Sequence, residues 1–273
     1  AVPTSARAQS SGGQASLSAG MARTTAMIPL AQLRVIKTRP VKERPTRRKV
    51  GWGSGEHMTY RVSLAGIWGG RAAISVGKVK GKGNRASLRI RGMGETVPFI
   101  SAISHMREDL ITAVRLKDLR PLSQVADRKA PNKDRLLKTS FGADLKQTLT
   151  FQGKTHHHTR RVMDQGALHD PITALFSLRA VKFRKGETFS MRVVNGTSLM
   201  LVEASVVGRK RIFIDGKAHN TWHVEGTGRK IRDDGTPWPN KAPRHLAIWF
   251  SADRARVPVR VEGDTRFGKI VAL

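Results

Sequence analysis

Residues 169–179 read His169-Asp170-Pro171-Ile172-Thr173-Ala174-Leu175-Phe176-Ser177-Leu178-Arg179. They decide the fold because they read as one short buried helix set in a chain that otherwise reads largely as strands. Asp170 is a good N-cap and Pro171 suits the first helical position, where its missing N–H costs nothing. Ile172, Leu175, Phe176 and Leu178 supply an apolar face before Arg179 closes the last turn. The segment is a packing element and carries no catalytic motif.

Outward from this helix, strand signals dominate. On the C-terminal side, residues 189–194 and 198–207 flank Asn195-Gly196, a strong hairpin signal, and Asp215-Gly216 marks a second hairpin with Trp222 and Val224 on its return strand. Residues 233–239 read as a rigid loop, and strands follow at 246–250, 257–261 and 270–273. On the N-terminal side, Tyr60, Val62 and Leu64 alternate with Arg61 and Ser63 in a half-buried strand expected to end in a turn at Gly69-Gly70. Residues 72–76 return as a second strand, and Leu88 and Ile90 alternate with Arg89 and Arg91 in a third. Phe99, Ile100, Ile103, Met106, Leu110 and Ile111 stand at helical spacing behind Pro98, which predicts an amphipathic helix over 98–116. Residues 119–138 read as loop plus a short strand, and 145–151 as a strand.

The fold class expected is therefore mainly β (α+β): a curved antiparallel sheet or barrel-like β domain with one or two short helices. At 273 residues and 39% hydrophobic content the chain can bury one substantial core. The division expected is a low-complexity tail at 1–49 and a single β-rich domain at 50–273. No run approaches the roughly 18 apolar residues of a membrane-spanning helix. The absence of cysteine excludes disulfides, iron–sulfur clusters and thiol nucleophiles. The sequence begins at Ala1 rather than Met, as removal of a signal peptide leaves it; initiator-methionine processing gives the same start.

Charge is the strongest compositional feature. Fifty Lys plus Arg against 20 Asp plus Glu give +30. Residues 1–49 hold ten basic residues against the single acid Glu43, a net +9, which leaves +21 on the body. Pro40 and Pro45 keep Lys37, Arg39, Lys42, Arg44, Arg47, Arg48 and Lys49 out of a helix, as an extended basic strap. Such a tail buries too little apolar area to offset its backbone entropy, so it is expected to order against an anionic partner. Lys78, Lys80 and Lys82 line a glycine-rich loop that lacks the Gly-Lys-Ser/Thr ending of a phosphate loop and reads as a basic hairpin tip.

Other candidate chemistry is weak. His156, His157 and His158 alternate faces on a strand, so at most His156 and His158 share one, and neither Asp, Glu nor Cys completes a metal set before Asp164. No metal and no cofactor are expected. Asp170, Ser251 and a histidine could be assembled on paper into a hydrolytic triad, but the chain holds no Gly-x-Ser-x-Gly elbow. Ser251 and Asp253 are placed to satisfy turn amides at a strand end, Pro258 suits an edge strand, and Arg179 is expected to pair with a buried carboxylate, Asp253 being the candidate.

Three blocks carry a resemblance. Residues 60–70, the helix from Asp170-Pro171 to Arg179, and Trp249-Phe250-Ser251-Ala252-Asp253 followed by Val257-Pro258-Val259 resemble, in order and spacing over residues 55–273, an exported bacterial family known as domain of unknown function three-one-zero-eight. The resemblance implies a secreted or periplasmic β-rich protein, curved or barrel-like, with no established enzymatic activity. The tail and the histidine run lie outside it.

The function expected is a non-enzymatic envelope protein, alone or as a subunit of a larger complex, docking through tail and basic surface on an acidic protein assembly or envelope polymer. Nucleic-acid binding is the second reading, weakened because no aromatic residue is interleaved with the basic strap. The third is a lipid or glycan carrier with its ligand inside the sheet, Trp222, Trp238 or Trp249 lining the cavity.

Overall fold

The structure, a computed structural model, describes residues 51–97, 105–131, 133–162, 168–265 and 268–273. The strap residues Lys37 to Lys49 and the N-terminal part of the helix expected at 98–116 lie outside this set. Fifteen strands and one helix follow in order: β1 (His57–Leu64), β2 (Ile67–Val76), β3 (Ser87–Thr96), β4 (Arg107–Arg115), β5 (Pro121–Lys129), β6 (Arg135–Phe141), β7 (Leu145–Phe151), β8 (Lys154–Arg160), β9 (Leu168–His169), α1 (Pro171–Ala180), β10 (Thr188–Asn195), β11 (Ser198–Ile214), β12 (Lys217–Ile231), β13 (Arg244–Ser251), β14 (Pro258–Thr265) and β15 (Gly268–Ala272).

All the strands belong to one sheet. From its centre the meander β1 to β8 runs one way and β15 back to β9 the other, so the first and last strands pair with each other, Val62 opposite Ala272 and Leu64 opposite Ile270. The pairing is antiparallel except between the two-residue β9 and β10. The sheet is strongly curved, and its two margins meet through side chains. Gln147 donates to the Gly196 carbonyl (2.9 Å), Arg160 donates to the Thr197 carbonyl (3.0 Å), and Leu145 packs against Val194, Leu199 and Ile231. β8 is a margin strand, and its Lys154 and three exposed histidines give it the polar character that discourages pairing with another chain.

α1 fills the hollow of the sheet. Its cap is as read from the sequence, with an added reciprocal bond: the Asp170 carboxylate accepts from the Ile172 and Thr173 amides, and the Thr173 hydroxyl accepts from the Asp170 amide. Burial pushes the Asp170 carboxyl pKa up, against the lowering effect of those hydrogen bonds. The helix is not one-sided. Ile172, Phe176 and Ala180 pack on the β1–β4 half, and Ala174 and Leu178 on the β10–β14 half, with Leu175 touching both. A helix enclosed on all sides needs no polar face.

Arg179 is fully buried, and its partner is not Asp253. The guanidinium forks onto Glu56 (2.5 and 3.1 Å), donates to the carbonyls of Ala255 and Arg256, and stands 4.8 Å from the Phe176 ring centroid. Asp253 instead accepts from the Ser251 hydroxyl (2.8 Å) and the Arg256 amide (3.1 Å) within its own turn. Glu56 wins because it lies just before β1, beneath the last turn of the helix.

Three further expectations change. Residues 107–115 are strand β4, not helix: the β-branched Ile111, Thr112 and Val114 pair between β3 and β5, and this long-range pairing overrides a short apolar run of mixed period. Residues 119–138 hold two strands, β5 and β6. They read as loop because inward positions are polar: Thr112, Gln124, Thr139 and Gln147 lie directly opposite one another on β4 to β7, all buried. Gly69-Gly70 lies inside β2, and the turn is Ala65-Gly66, both with positive φ, the type I′ geometry that suits strand twist. In the Asn195-Gly196 hairpin, Asn195 pairs with Ser198, so Gly196 takes the first loop position.

Removing one partner of the buried ion pair leaves an uncompensated charge or bare carbonyls. Arg179→Met or Glu56→Gln is expected to cost about 3–5 kcal/mol in urea unfolding, against about 1 kcal/mol for Asp253→Asn. His169, buried at the end of β9, has its pKa pushed down from 6.5 to about 4, first by burial and then by the Arg120 charge. The folded state keeps this ring neutral while the unfolded chain takes up a proton below about 6.5. Stability therefore falls as pH drops from 7 towards 4, by about 3 kcal/mol in all from this group. His169→Asn should flatten that part of the profile, read as unfolding midpoints across the range; an unchanged slope would refute the assignment.

Candidate ligand-binding cup

Above the buried level of Val114 and Leu145, the register stacks the inward residues of β4 to β7 in three tiers. Lowest is the polar row Thr112, Gln124, Thr139 and Gln147. It begins at the helix cap, where the Thr112 hydroxyl donates to Asp170 (3.2 Å) and Gln124 donates to Thr112 (3.3 Å), and it ends where Gln147 reaches the Gly196 carbonyl. Above it lies the apolar row Leu110, Ala126, Leu137 and Leu149, and above that Glu108, Arg128, Arg135 and Phe151. The helix begins at the level of the polar row, so the tiers above it are not filled by α1.

The space left is a cavity of about 570 Å³, within the usual range of about 300–1,000 Å³ for small-molecule sites. One wall is β4, β5 and β6. The opposite wall is the Gly196–Thr197 turn, Ser198, Met200, Gly228 and Lys230, with residues 240–244 at the lip and Pro171 at the floor. Gly228 helps to make the room, since a Cβ there would meet only Met200 and Val202 at ordinary contact distance.

Five cations line the cavity: Arg128, Arg135, Lys230, Lys241 and Arg244. The acid among them is Glu108, and Arg128 holds it at 2.7 Å. Lys230 stands 5.0 Å from the Trp238 ring centroid. Arg135, Lys241 and Arg244 have no carboxylate within ion-pair distance among the described residues. Like charges facing one low-dielectric space repel, and a bound anion relieves that repulsion. Among the described lining residues Glu108 is the one carboxylate, and it is paired with Arg128.

This arrangement sits in a chain whose family the sequence identifies. The match is to the family described as "Protein of unknown function (DUF3108)", over residues 59–273. The chain belongs to that family. The match covers the tiers of the cup, the helix and Arg179, but begins after Glu56, the partner of Arg179. Among solved structures, the chain is similar to a beta-barrel-like protein of domain of unknown function DUF1849 from Brucella abortus, at 11% identity, with 81% of this chain and 95% of that chain covered and a TM-score of 0.46. No curated protein matches the sequence.

The residues singled out from the DUF3108 sequence fall elsewhere. Lys78, Lys80 and Lys82 are exposed in the β2–β3 connection, where Lys80 bridges to Ser87 before a single 3-10 turn, at the end of the sheet opposite the cup. Asp170, Arg179, Ser251 and Asp253 serve caps, the ion pair and a turn, with Ser251 also accepting from the Val257 amide. Asp170 and Ser251 lie apart, on the helix cap and at the last position of β13, so no triad forms. Trp249 stacks on His223 at 4.3 Å under Arg260, and Trp222 packs in the core. Trp238 alone of the three tryptophans stands near the mouth, its indole N–H donating to the Ile231 carbonyl. His156, His157 and His158 are exposed on β8, and the described residues contain no cluster of three metal-ligating side chains. Of the residues singled out from sequence, Pro171 lines the cup, as do Leu110 and the Asn195-Gly196 pair, which read in the sequence as helix face and hairpin turn. Arg128, Arg135, Lys230, Lys241 and Arg244 carry no local signature, because they converge only through strand register.

Proposed function

We propose that this chain is a non-enzymatic binding protein of the bacterial envelope that holds an anionic ligand in the cup. The observation that carries the reading is the ring of cations around a preformed cavity, four of the five without an acidic partner among the described residues. The apolar tier beneath the ring favours a ligand with an apolar portion, and the polar row below it closes the floor with groups already bonded to one another. The overall charge of +30 draws anions towards the molecule over a Debye length of about 8 Å at physiological salt. The basic segment at 1–49 adds to the same attraction. Export rests on the family resemblance and agrees with the absence of cysteine.

A fluorescence titration of the full chain with anilinonaphthalenesulfonate, an aromatic sulfonate, tests the reading. Saturable binding is expected. It should weaken at least tenfold, about 1.4 kcal/mol, in the double variant Arg135→Glu, Arg244→Glu, and equally when Ala126→Trp fills the apolar tier. Affinity unchanged in both variants, with circular dichroism reporting intact folds, would sink the reading.

A further inference from the structure

The strand directions place one end of every element around the mouth of the cup. The last residues of β1, β3, β5, β7 and β12 and the first of β2, β4, β6, β11, β13 and β15 all lie there, as the pairs Leu64 with Ile67, Glu95 with Arg107, Arg128 with Arg135 and Gly228 with Arg244 require. Most of the large apolar side chains that the surface exposes collect at this same end: Leu64, Ile67, Trp68, Met106, Trp238 and Ile270. Ile67 is 66% exposed and Trp68 50% exposed, far more than scattered surface leucines need explaining. The Trp68 indole N–H is held by the Gly70 carbonyl at 3.1 Å, so the ring is set at the mouth rather than free to turn inward.

Cations stand among these apolar groups. Lys154, Lys241 and Arg244 are exposed around the mouth, and Lys230 and Arg232 flank the Trp238 ring at 5.0 and 5.6 Å. A rim that mixes tryptophan, isoleucine and unpaired cations, surrounding an apolar tier that leads inward, matches one kind of surface in both charge and polarity. That surface is a bilayer carrying anionic headgroups, where indole rings sit at the interface and lysines and arginines meet phosphates. At the opposite end of the sheet the β2–β3 connection carries Lys78, Lys80 and Lys82, and the exposed apolar groups there, Leu122 on β5 and Phe213 near the tip of the β11–β12 hairpin, stand on strands that are not neighbours in the sheet.

We propose that the ligand is an anionic lipid, and that the mouth of the cup is the surface that docks on the bilayer to receive it. Leu64, Ile67 and Trp68 enter the headgroup region, Arg135, Lys241 and Arg244 take the lipid phosphate, and the row Leu110, Ala126 and Leu137 meets the start of the acyl chain. This rests on the cup being an anion site and adds the class of ligand and the route by which it arrives.

Flotation of the full chain with two kinds of vesicle provides the test: phosphatidylcholine alone, and phosphatidylcholine mixed with phosphatidylglycerol. The chain is expected to float with the mixed vesicles and not with phosphatidylcholine alone. The rim double variant Ile67→Asp, Trp68→Asp should reduce the bound fraction at least tenfold while keeping wild-type affinity for anilinonaphthalenesulfonate. If the rim variant floats as well as the wild type, attraction is by net charge alone and the inference is overturned. If the wild type does not float while sulfonate binding still depends on Arg135 and Arg244, the ligand is a soluble anion: the cup stands as an anion site and the lipid assignment falls. If sulfonate binding does not depend on those arginines, the reading of the cup itself has failed.

Discussion

The fork between Arg179 and Glu56 holds the architecture together. One guanidinium at the C-terminal turn of the helix binds the carboxylate that precedes the first strand and two carbonyls in the turn before β14. Three separate stretches of chain are thereby tied at one buried point, with Phe176 and Trp52 packed at its side. Burying a charge is costly unless it is fully bonded, and here the fork and the carbonyls use the guanidinium's donors. The helix cannot slide along the hollow without exposing that charge to apolar surroundings, so its depth in the sheet is set.

The depth of the helix sets the depth of the cup. At the other end of α1, Asp170 is bonded to the Thr112 hydroxyl on β4 as well as to its own first turn. The polar row that starts there crosses four strands and ends on the turn of the β10–β11 hairpin. Gln124 bonds to Thr112 at one end, Gln147 bonds to Thr139 and to the Gly196 carbonyl at the other, and the row both floors the cavity and joins the sheet margins. Each of the four side chains takes part in at least one hydrogen bond, which makes the buried position tolerable, whereas an unpaired buried member would cost about 1–3 kcal/mol. Apolar and then cationic tiers follow above it because side chains two residues apart on a strand share a face.

What could be read in the residues was local. The helix cap at Asp170-Pro171, the two glycine hairpins, the alternation of Leu88 and Ile90 with Arg89 and Arg91, and the β-rich class needed only short-range rules, and the structure contains them all. The described part of the helix expected at 98–116, which is strand from Arg107 to Arg115, and the loop plus short strand expected at 119–138, a stretch that holds two strands, went the other way for a common reason. The inward face of β4, β5 and β6 is polar below and charged above, so it does not show the apolar alternation by which a half-buried strand is recognised. Gln124 and Thr139 look like surface residues until they are seen opposite each other.

The sequence by itself determined the class of the protein, its charge, its family and the helix at its centre, because composition, caps and turns act over a few residues. The tertiary structure alone decided that Arg179 meets Glu56, 123 positions away, and that Arg135 and Arg244 face one cavity. Both depend on strand register and on the curvature of the whole sheet. The feature read first, the short helix from His169 to Arg179, proves to be the plug whose position leaves the cup open.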